Sequence, residues 1–418
     1  MASHGIELNE NDLRMPASLR GLGGKLLGAG VLLTLIGVAL GFTQAGLKHL
    51  MFAYITALAF TMTIVLGGLI WLLIQHVFRA SWAVAIRRIG ESIVRMMPLL
   101  ILLFVPLLLL IATSSPESPN VIYKVFKWLD PSYVSGDADF LPNKQVVYGG
   151  YLNKGFFLIR LVGYFVILFF LARFFTSNSV KQDETGDVNT TRKMEKLSAP
   201  MIPLFALTIT FLGLDLLMSL DPHWFSTIWG VYLFAGGMLS FNCVLALLMM
   251  TYQKHGALTK VIRTDHYHDV GKLMFAFVIF WSYIAFSQYL LIWYAHIPEE
   301  ITFFAKRQEN GWEWISVTLI FGHFAVPLLG LLSKHVKRHK PALAFWAVWL
   351  LVMHFVDMFW IVMPNYDAHH VPLPFVAIAL ALGFLSLIVG AAIKSASSKS
   401  IVAARDPRLG ESLAYHNV

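Results

Sequence analysis

The stretch FLGLDLLMSLDPHWFSTIWGVYLFAGG, Phe211 to Gly237, contains the end of one apolar run and the start of the next. The runs are separated only by the polar group Asp221, Pro222 and His223. An α-helix of about 20 apolar residues crosses the hydrocarbon core of a bilayer. The stretch therefore predicts two membrane-spanning helices joined by a short loop. One carboxyl group, that of Asp215, is expected among apolar side chains.

Two acids in this stretch have different interpretations. A charged side chain at the centre of a membrane helix costs roughly 2.5–3.5 kcal/mol, so such residues tend to face a protein interior or a wet cavity and to carry function. Asp215 is therefore a candidate functional residue. Asp221 is followed by Pro222, and the two are interpreted as the N-cap and the first-turn residue of the next helix.

The composition of the chain indicates an all-α polytopic membrane protein. The 418 residues are 57% hydrophobic and 13% charged, with a mean hydropathy of +0.66. Cys243 is the only cysteine, which excludes an internal disulfide, a cluster held by four cysteines and a multi-thiolate zinc site. We therefore expect no redox cofactor bound through cysteine. No P-loop, dinucleotide fingerprint, HExxH or GxSxG motif appears in a usable context, so neither a metal site nor a catalytic residue is predicted.

Apolar runs long enough to span a membrane predict ten helices. Lys and Arg accumulate on the cytoplasmic side of membrane proteins. With the N-terminus inside, 24 of the 32 basic residues fall in the inner segments, so both termini are expected in the cytoplasm. This asymmetry accounts for the net charge of +8 without nucleic acid. The predicted spans are 26–42, 50–77, 96–112, 154–174, 198–220, 224–252, 270–294, 312–333, 342–363 and 373–393.

Three segments follow from this topology: a cytoplasmic arm (1–23), a ten-span domain (24–393) and a cytoplasmic tail (394–418). The outer loop 113–153 is long and contains interleaved aromatic and basic residues, which favours a functional segment or a docking surface. The polar stretch 181–196 alternates in charge and is interpreted as a solvated linker. The order and direction of the spans are similar in the two halves of the chain. This suggests two four-helix units, spans 2–5 and 6–9, with two peripheral helices.

Titratable residues within the spans form the candidate site. His354 and Asp357 lie three residues apart on one face of the ninth span, and His323 lies at a comparable depth on the eighth. Imidazole and buried carboxyl groups can exchange protons near neutral pH, so these residues could form a relay together with Asp215. A structural role, in which the same groups are held by hydrogen bonds to neighbouring helices, is the alternative.

Two further residues in the spans have more than one interpretation. Arg160 on the fourth span could extend its guanidinium group to the outer interface, or it could pair with a buried acid. Tyr283 shares one face of the seventh span with Ser287 and Tyr294 and is a further candidate for a proton path. Hydrogen bonds between helices would also explain these hydroxyl groups.

Two stretches carry a resemblance to a known family: LDLLMSLDPHWFSTIWGVYLFAG, 214–236, and FSQYLLIWYAHIPEE, 286–300. With them, nearly the whole chain resembles the ActF family, the second NrfD/polysulfide-reductase-C-like membrane subunit of bacterial alternative complex III. The resemblance implies a subunit of a quinol:electron acceptor oxidoreductase in the bacterial inner membrane, without a redox cofactor of its own. It implies as partners an ActC-like membrane homologue, and an iron-sulfur protein and c-type cytochromes, carrying the clusters and haem, on the outer face.

Three functions are compatible with the sequence. In the first, the chain is a membrane subunit of such a quinol-oxidising complex and contributes a proton path and a pocket for a quinol such as menaquinol. In the second, it is a proton-coupled secondary transporter, for which repeated helix units and ionisable residues in the membrane are equally natural. In the third, it is a structural anchor for redox subunits. All three place the chain among lipids.

Overall fold

The computed structural model describes residues 8–136 and 150–416. All regular secondary structure in these residues is helical, and ten helices are long and apolar enough to cross a membrane. The predicted all-α fold with ten spans is confirmed. Residues 1–7 of the predicted arm, 137–149 of the predicted outer loop and 417–418 of the predicted tail lie outside the described residues. The spans are α1 (Ala17–Thr43), α2 (Gly46–Val77), α3 (Ser81–Thr113), α4 (Lys154–Thr185), α5 (Val188–Leu220), α6 (Trp229–Lys254), α7 (Thr264–Ala295), α8 (Trp312–Leu332), α9 (Lys340–Asn365) and α10 (Phe375–Ala396).

Several spans depart from a single regular helix. Span α1 ends in a π-helical segment, Gly41–Ala45, and α3 begins with a 3₁₀ turn, Ser81–Ala83, before two α-helical pieces. Spans α5 and α9 each end in a 3₁₀ turn, and α8 contains a π-helical turn between two α-helical pieces. These pieces are Val84–Val94 and Met97–Thr113 in α3; Val188–Leu216 and a 3₁₀ turn Met218–Leu220 in α5; Trp312–Thr318, the π-helical Leu319–Ala325 and Val326–Leu332 in α8; and Lys340–Val362 with a 3₁₀ turn Met363–Asn365 in α9. Short helices outside the spans are Glu10–Leu13, Pro131–Gly136, Pro298–Ala305, Lys334–Arg338 and Leu409–Ala414.

An even number of crossings places both termini on one face, which we name the terminal face; the other is the opposite face. Several spans extend further toward the terminal face than hydropathy predicts, and the solvated linker predicted at 181–196 is wrong. Helices α4 and α5 continue through this stretch and are separated only by Gly186 and Asp187. Gly186 adopts φ +68°, a left-handed conformation that suits glycine at a helix C-terminus. Asp187 caps α5 by accepting a hydrogen bond from the Asn189 N–H at 2.9 Å.

The spans form two four-helix bundles. In the first bundle (α2–α5), α2 packs against α3 and α5, and α4 packs against α3 and α5. In the second bundle (α6–α9), α6 packs against α7 and α9, and α8 packs against the same two helices. Helices α2 and α6 are the most buried spans, 94% and 83% inside the protein, because they cross each other where the bundles meet. Helices α1 and α10 form a peripheral pair that packs on α2.

Glycines allow close helix contacts at the α2–α6 and α1–α10 crossings. A Cβ atom on Gly67 of α2 would lie 2.1 Å from the backbone oxygen of Gly237 on α6, so the two backbones meet directly. On α1, Gly23, Gly30 and Gly37 repeat every seven residues, and a Cβ on Gly30 would lie 3.0 Å from the oxygen of Gly383 on α10. Small residues allow such approach in membrane bundles, where packing rather than water exclusion drives helix association.

Candidate functional site

The carboxyl group of Asp357 on α9 is held by two uncharged donors. The Tyr232 hydroxyl on α6 donates to Oδ1, and the Trp281 indole on α7 donates to Oδ2 at 3.2 Å. All three side chains are buried, and Asp357 has no exposed surface. Among the described residues, Asp357 forms no ion pair. Its charge is therefore not fixed by a permanent cation.

His354 lies one turn from Asp357 on α9 and contacts α2. Its Nε2 atom is 2.8 Å from Thr63 Oγ1, and that hydroxyl is also 2.9 Å from the backbone oxygen of Ala59. When Thr63 donates to this oxygen, His354 Nε2 carries the hydrogen and Nδ1 presents a lone pair. Nδ1 is buried without a hydrogen-bond partner among the described residues. Gly236 leaves room beside it, since a Cβ there would lie 3.3 Å from Nδ1.

His323 occupies the π-helical turn of α8. Its ring lies 3.9 Å, centroid to centroid, from the indole of Trp281, and it has no exposed surface. Neither ring nitrogen has a hydrogen-bond partner within the described part of the chain. Single π-helical turns frequently mark functional sites, because they interrupt the regular i to i−4 hydrogen bonding. The backbone oxygen of the neighbouring Gly322 accepts from the Trp349 indole at 2.7 Å.

Trp281 joins these residues into one cluster. It donates to Asp357, contacts His323 with the two rings tilted by 45°, and lies 5.7 Å from the ring of Tyr232. We name the set of Thr63, Tyr232, Trp281, His323, His354 and Asp357 the central cluster. The structure thus brings together three of the predicted site residues, from α8 and α9, inside the second bundle. Three buried ring nitrogens, two on His323 and one on His354, have no hydrogen-bond partner among the described residues.

Asp215 belongs to a separate site in the first bundle. Arg160 on α4 donates to both carboxylate oxygens, from Nε at 2.9 Å and from Nη2 at 2.8 Å. Tyr164 donates to the same carboxylate at 3.0 Å. The Arg160 guanidinium also stacks on the ring of Tyr151, 3.8 Å from its centroid. Of the two interpretations of Arg160, pairing with a buried acid is correct and extension to the interface is wrong.

Two further sequence-based interpretations change. The Tyr283 side chain is 63% exposed on the outer surface of α7, so the structure does not bring it to the central cluster. Asp221 is not the N-cap of α6, which begins only at Trp229. Its carboxylate instead accepts from Lys306 at 2.7 Å, which ties the α5–α6 loop to the α7–α8 loop.

Hydrogen bonds do not join Asp215 to the central cluster within the described residues. The nearest link is aromatic: Trp229 stacks on Tyr232 with ring centroids 5.6 Å apart. The Trp229 indole N–H donates to the backbone oxygen of Gly213 at 3.2 Å, so this donor already has its hydrogen-bond partner. A single continuous proton path through both aspartates is therefore not built into this arrangement.

Sequence reasoning missed a buried ionic network on the terminal face. Glu91 has no exposed surface and accepts from Arg87 and Arg88, each at 3.0 Å. Arg87 also donates to Asp406 at 2.7 Å, and Arg88 donates to Asp183 at 2.5 Å. The spacing of Glu91 three and four residues after the two arginines was the available signal. The network attaches the C-terminal segment and α4 to α3.

A second missed residue is Arg307, between α7 and α8. It has no exposed surface and donates to the backbone oxygens of Phe303, Trp360 and Ile361 at 2.6, 3.0 and 2.8 Å. Two of these carbonyls belong to the last turn of α9, where a cation stabilises the negative end of the helix dipole. Burial lowers the pKa of Arg307 to about 9. No spacing in the sequence distinguishes it from the adjacent Lys306.

Possible binding sites for other groups were sought in the described residues. No group of three His, Cys, Asp or Glu side chains there could hold a metal ion. A cavity of about 910 Å³ opens on the opposite face between the α1–α2 turn and the α3–α4 loop, with Lys48, Lys124 and Asp130 among its lining residues. It contains none of the predicted site residues.

No protein-family model matches the chain, and no curated protein matches it.

Proposed function

We propose that the chain handles protons in a membrane, with Asp357, His354 and His323 as the exchanging groups. The observation that carries the proposal is the central cluster, where a buried carboxyl group held by neutral donors lies beside two histidines with uncommitted ring nitrogens. Carboxyl and imidazole groups are the side chains that commonly accept and donate protons in enzymes. All the groups required for proton exchange therefore lie within one bundle.

The partners of the two buried aspartates support different roles. Protonating Asp215 would leave the Arg160 guanidinium buried and unpaired, which is strongly unfavourable. Protonating Asp357 leaves behind only the neutral Tyr232 and Trp281. Asp357 can thus gain and lose a proton without stranding an opposite charge, so we assign proton exchange to Asp357 and a fixed ion pair to Asp215.

The position of Asp357 favours exchange with the opposite face. Asp357 lies eight residues before the end of α9 at Asn365, which is about 12 Å along a helix. The terminal end of α9, at Lys340, is about 25 Å away. Tyr232 lies in the first turn of α6, which starts at the opposite face. The distribution of basic residues supports the opposite face as the outer one.

We place this activity in a quinol-oxidising complex of the alternative complex III type, in a bacterial inner membrane with cytoplasmic termini. Quinol oxidation releases two protons for every two electrons, so it needs a group that accepts protons and a route to the outer phase. The resemblance of 214–236 supports this assignment, and that stretch includes Tyr232. Electron carriers would then be supplied by iron-sulfur and cytochrome partners, and the quinone pocket stays a prediction.

The transporter alternative is less well supported. Repeat-built transporters place interrupted helices at corresponding positions of both repeats. Here α8 contains the π-helical turn Leu319–Ala325, whereas its counterpart in the first bundle, α4, is one continuous helix from Lys154 to Thr185. The π-helical turn of α8 is therefore not repeated in α4, the corresponding helix of the first bundle.

The experiment replaces Asp357 with Asn in a chain that carries an affinity tag and is expressed in the membranes of its native organism. Removing a positioned proton-transfer group typically lowers a rate by about 10²–10⁴-fold. We expect quinol-driven acidification of the outer phase to fall in this range, while cytochrome-bearing partners still copurify. The matched control is the double variant Arg160→Gln/Asp215→Asn, which neutralises a buried aspartate together with its partner and should retain acidification.

Two outcomes would contradict the proposal. Unchanged acidification and turnover in Asp357→Asn would leave only an anchor function. Purification of the wild-type chain without any cytochrome-bearing partner would refute the assignment to a quinol-oxidising complex, and proton flux in liposomes containing the chain alone would then indicate a transporter.

A further inference from the structure

Three basic residues without an ion-pair partner among the described residues meet on the terminal face. Arg95 lies between the two helical pieces of α3, Arg173 lies on α4 and Lys399 follows α10. Arg88, seven residues before Arg95 on α3, donates to the backbone oxygen of Ser179 on α4 at 3.1 Å, so the antiparallel packing of these helices brings Arg95 beside Arg173. Helix α10, which precedes Lys399, packs on α3. We name them the cation triad. The acid that acts on Lys399 is Glu184, so positive charge remains in excess.

The neighbouring acids of the buried ionic network are already committed. Glu91, which acts on Arg95, accepts hydrogen bonds from Arg87 and Arg88. Arg88, the other arginine near Lys399, donates to Glu91 and to Asp183. No carboxylate of this network is therefore free to neutralise the cation triad.

Arg95 presents an unused donor inside the protein. Its Nη2 atom is buried and has no hydrogen-bond partner within the described part of the chain. An unsatisfied buried donor on a charged group is costly, so the native environment is expected to provide an acceptor. A guanidinium group matches the oxygens of a phosphate, with which it forms paired hydrogen bonds.

Apolar surface extends from the cation triad into the membrane. On α4, exposed side chains at Val162, Val166 and Phe170 form a stripe that ends at the exposed Arg173. On α3, which packs beside α4, Leu102 and Leu109 are exposed below Arg95. A molecule with a phosphate head at the triad could therefore lay acyl chains along both helices. A soluble anion would leave this surface unused.

From these contacts we infer that the cation triad binds the phosphate headgroup of an anionic phospholipid. One headgroup would thus contact both the α3–α4 edge of the first bundle and the segment after α10. Burial, followed by the guanidinium groups of Arg95, Arg88 and Arg173, lowers the pKa of Lys399 from its ordinary value. A bound phosphate would oppose this effect and favour the charged ammonium group.

The test uses the full-length chain, purified in detergent and stripped of lipid. Native mass spectrometry would count bound phosphatidylglycerol and phosphatidylcholine at equal concentrations, and thermal unfolding would be followed with each lipid. We expect a preference for phosphatidylglycerol and a higher Tm with it. Each basic residue at a membrane surface contributes about 1 kcal/mol toward an anionic lipid. The double variant Arg95→Gln/Lys399→Gln should therefore weaken this preference by about tenfold or more.

The matched control removes the same charge elsewhere on the terminal face. Lys25→Gln/Lys254→Gln changes two exposed lysines and should leave the preference unchanged. Should the double variant fold poorly, Arg173→Gln tests the same site at an exposed position. Equal phosphatidylglycerol binding by wild type and variant would overturn the inference. So would equal protection by inorganic phosphate, which would indicate a site for a free anion.

Discussion

Replacing Asp215 with Asn leaves the Arg160 guanidinium buried without its counter-ion. Arg160 donates to Asp215 at 2.9 and 2.8 Å, and both side chains are buried. Hydrogen bonds to charged groups contribute about 1.5–3 kcal/mol each, and removing one partner of a buried pair costs about 3–5 kcal/mol. We expect Asp215→Asn, and equally Arg160→Gln, to lower the free energy of unfolding by about 3–5 kcal/mol.

The double variant Arg160→Gln/Asp215→Asn distinguishes a true pair from two independent residues. Because neither charge is left alone, its cost should fall below the sum of the single costs by at least about 2 kcal/mol. The assay is reversible unfolding of the full chain in mixed micelles with increasing sodium dodecyl sulfate, measured for all four proteins. Asp187→Asn is the control, since Asn and Asp are equally good N-caps.

Additive single effects would refute this reasoning, because residues that share a buried ion pair must be coupled. The reasoning would also fail if Asp215→Asn alone left stability unchanged. That result would mean that Arg160 obtains its stability from the Tyr151 carbonyl and ring rather than from the carboxylate.

Three further substitutions test packing and charge elsewhere. Gly67→Ala should lower the free energy of unfolding by more than about 3 kcal/mol and weaken the α2–α6 contact, because its Cβ would overlap a backbone oxygen. The control is Gly28→Ala, whose Cβ meets open space and which should be neutral in the same unfolding assay. Arg307→Lys should lower the free energy of unfolding by about 2–4 kcal/mol, since an ammonium group cannot bond to all three carbonyl oxygens as the planar guanidinium does. The control, Lys306→Gln, removes a partly exposed ion pair worth about 1 kcal/mol or less. Similar losses of stability in both variants would contradict the account. Glu91→Gln should cost about 3–5 kcal/mol, read out as a lower Tm, and an unchanged Tm would show that Arg87 and Arg88 find other partners.

The sequence was sufficient for the spans and for part of the site. Apolar length alone locates ten helices, because a lipid environment permits little other than a helix. The three-residue spacing of His354 and Asp357 fixes them on one face, whatever the helix packs against. On the terminal face the sequence predicted the end of α4 too early, at 174 instead of Thr185, and the start of α5 too late, at 198 instead of Val188, because both helices continue as polar helices beyond the hydrophobic region.

The partners of each acid could not be predicted, because they depend on which helices face one another. Asp215 and Asp357 occupy similar places on α5 and α9, yet one meets Arg160 and the other meets Tyr232 and Trp281. Neither Tyr232 nor Trp281 is distinguished in the sequence from other aromatic residues in the spans. Only the packing of α6 and α7 on α9 identifies them.

The crossing of α2 and α6 connects the first bundle to the central cluster. A Cβ on Gly237 would lie 2.7 Å from the backbone oxygen of Thr63, so α6 rests on the residue whose hydroxyl holds His354. A Cβ on the adjacent Gly236 would lie 3.1 Å from Cε1 of the same imidazole. Two consecutive glycines therefore set both the approach of α2 and the room beside His354. Any movement of α2 across α6 at this crossing would change the position of Thr63 relative to His354, so the packing of the two bundles sets the hydrogen bond that holds this imidazole.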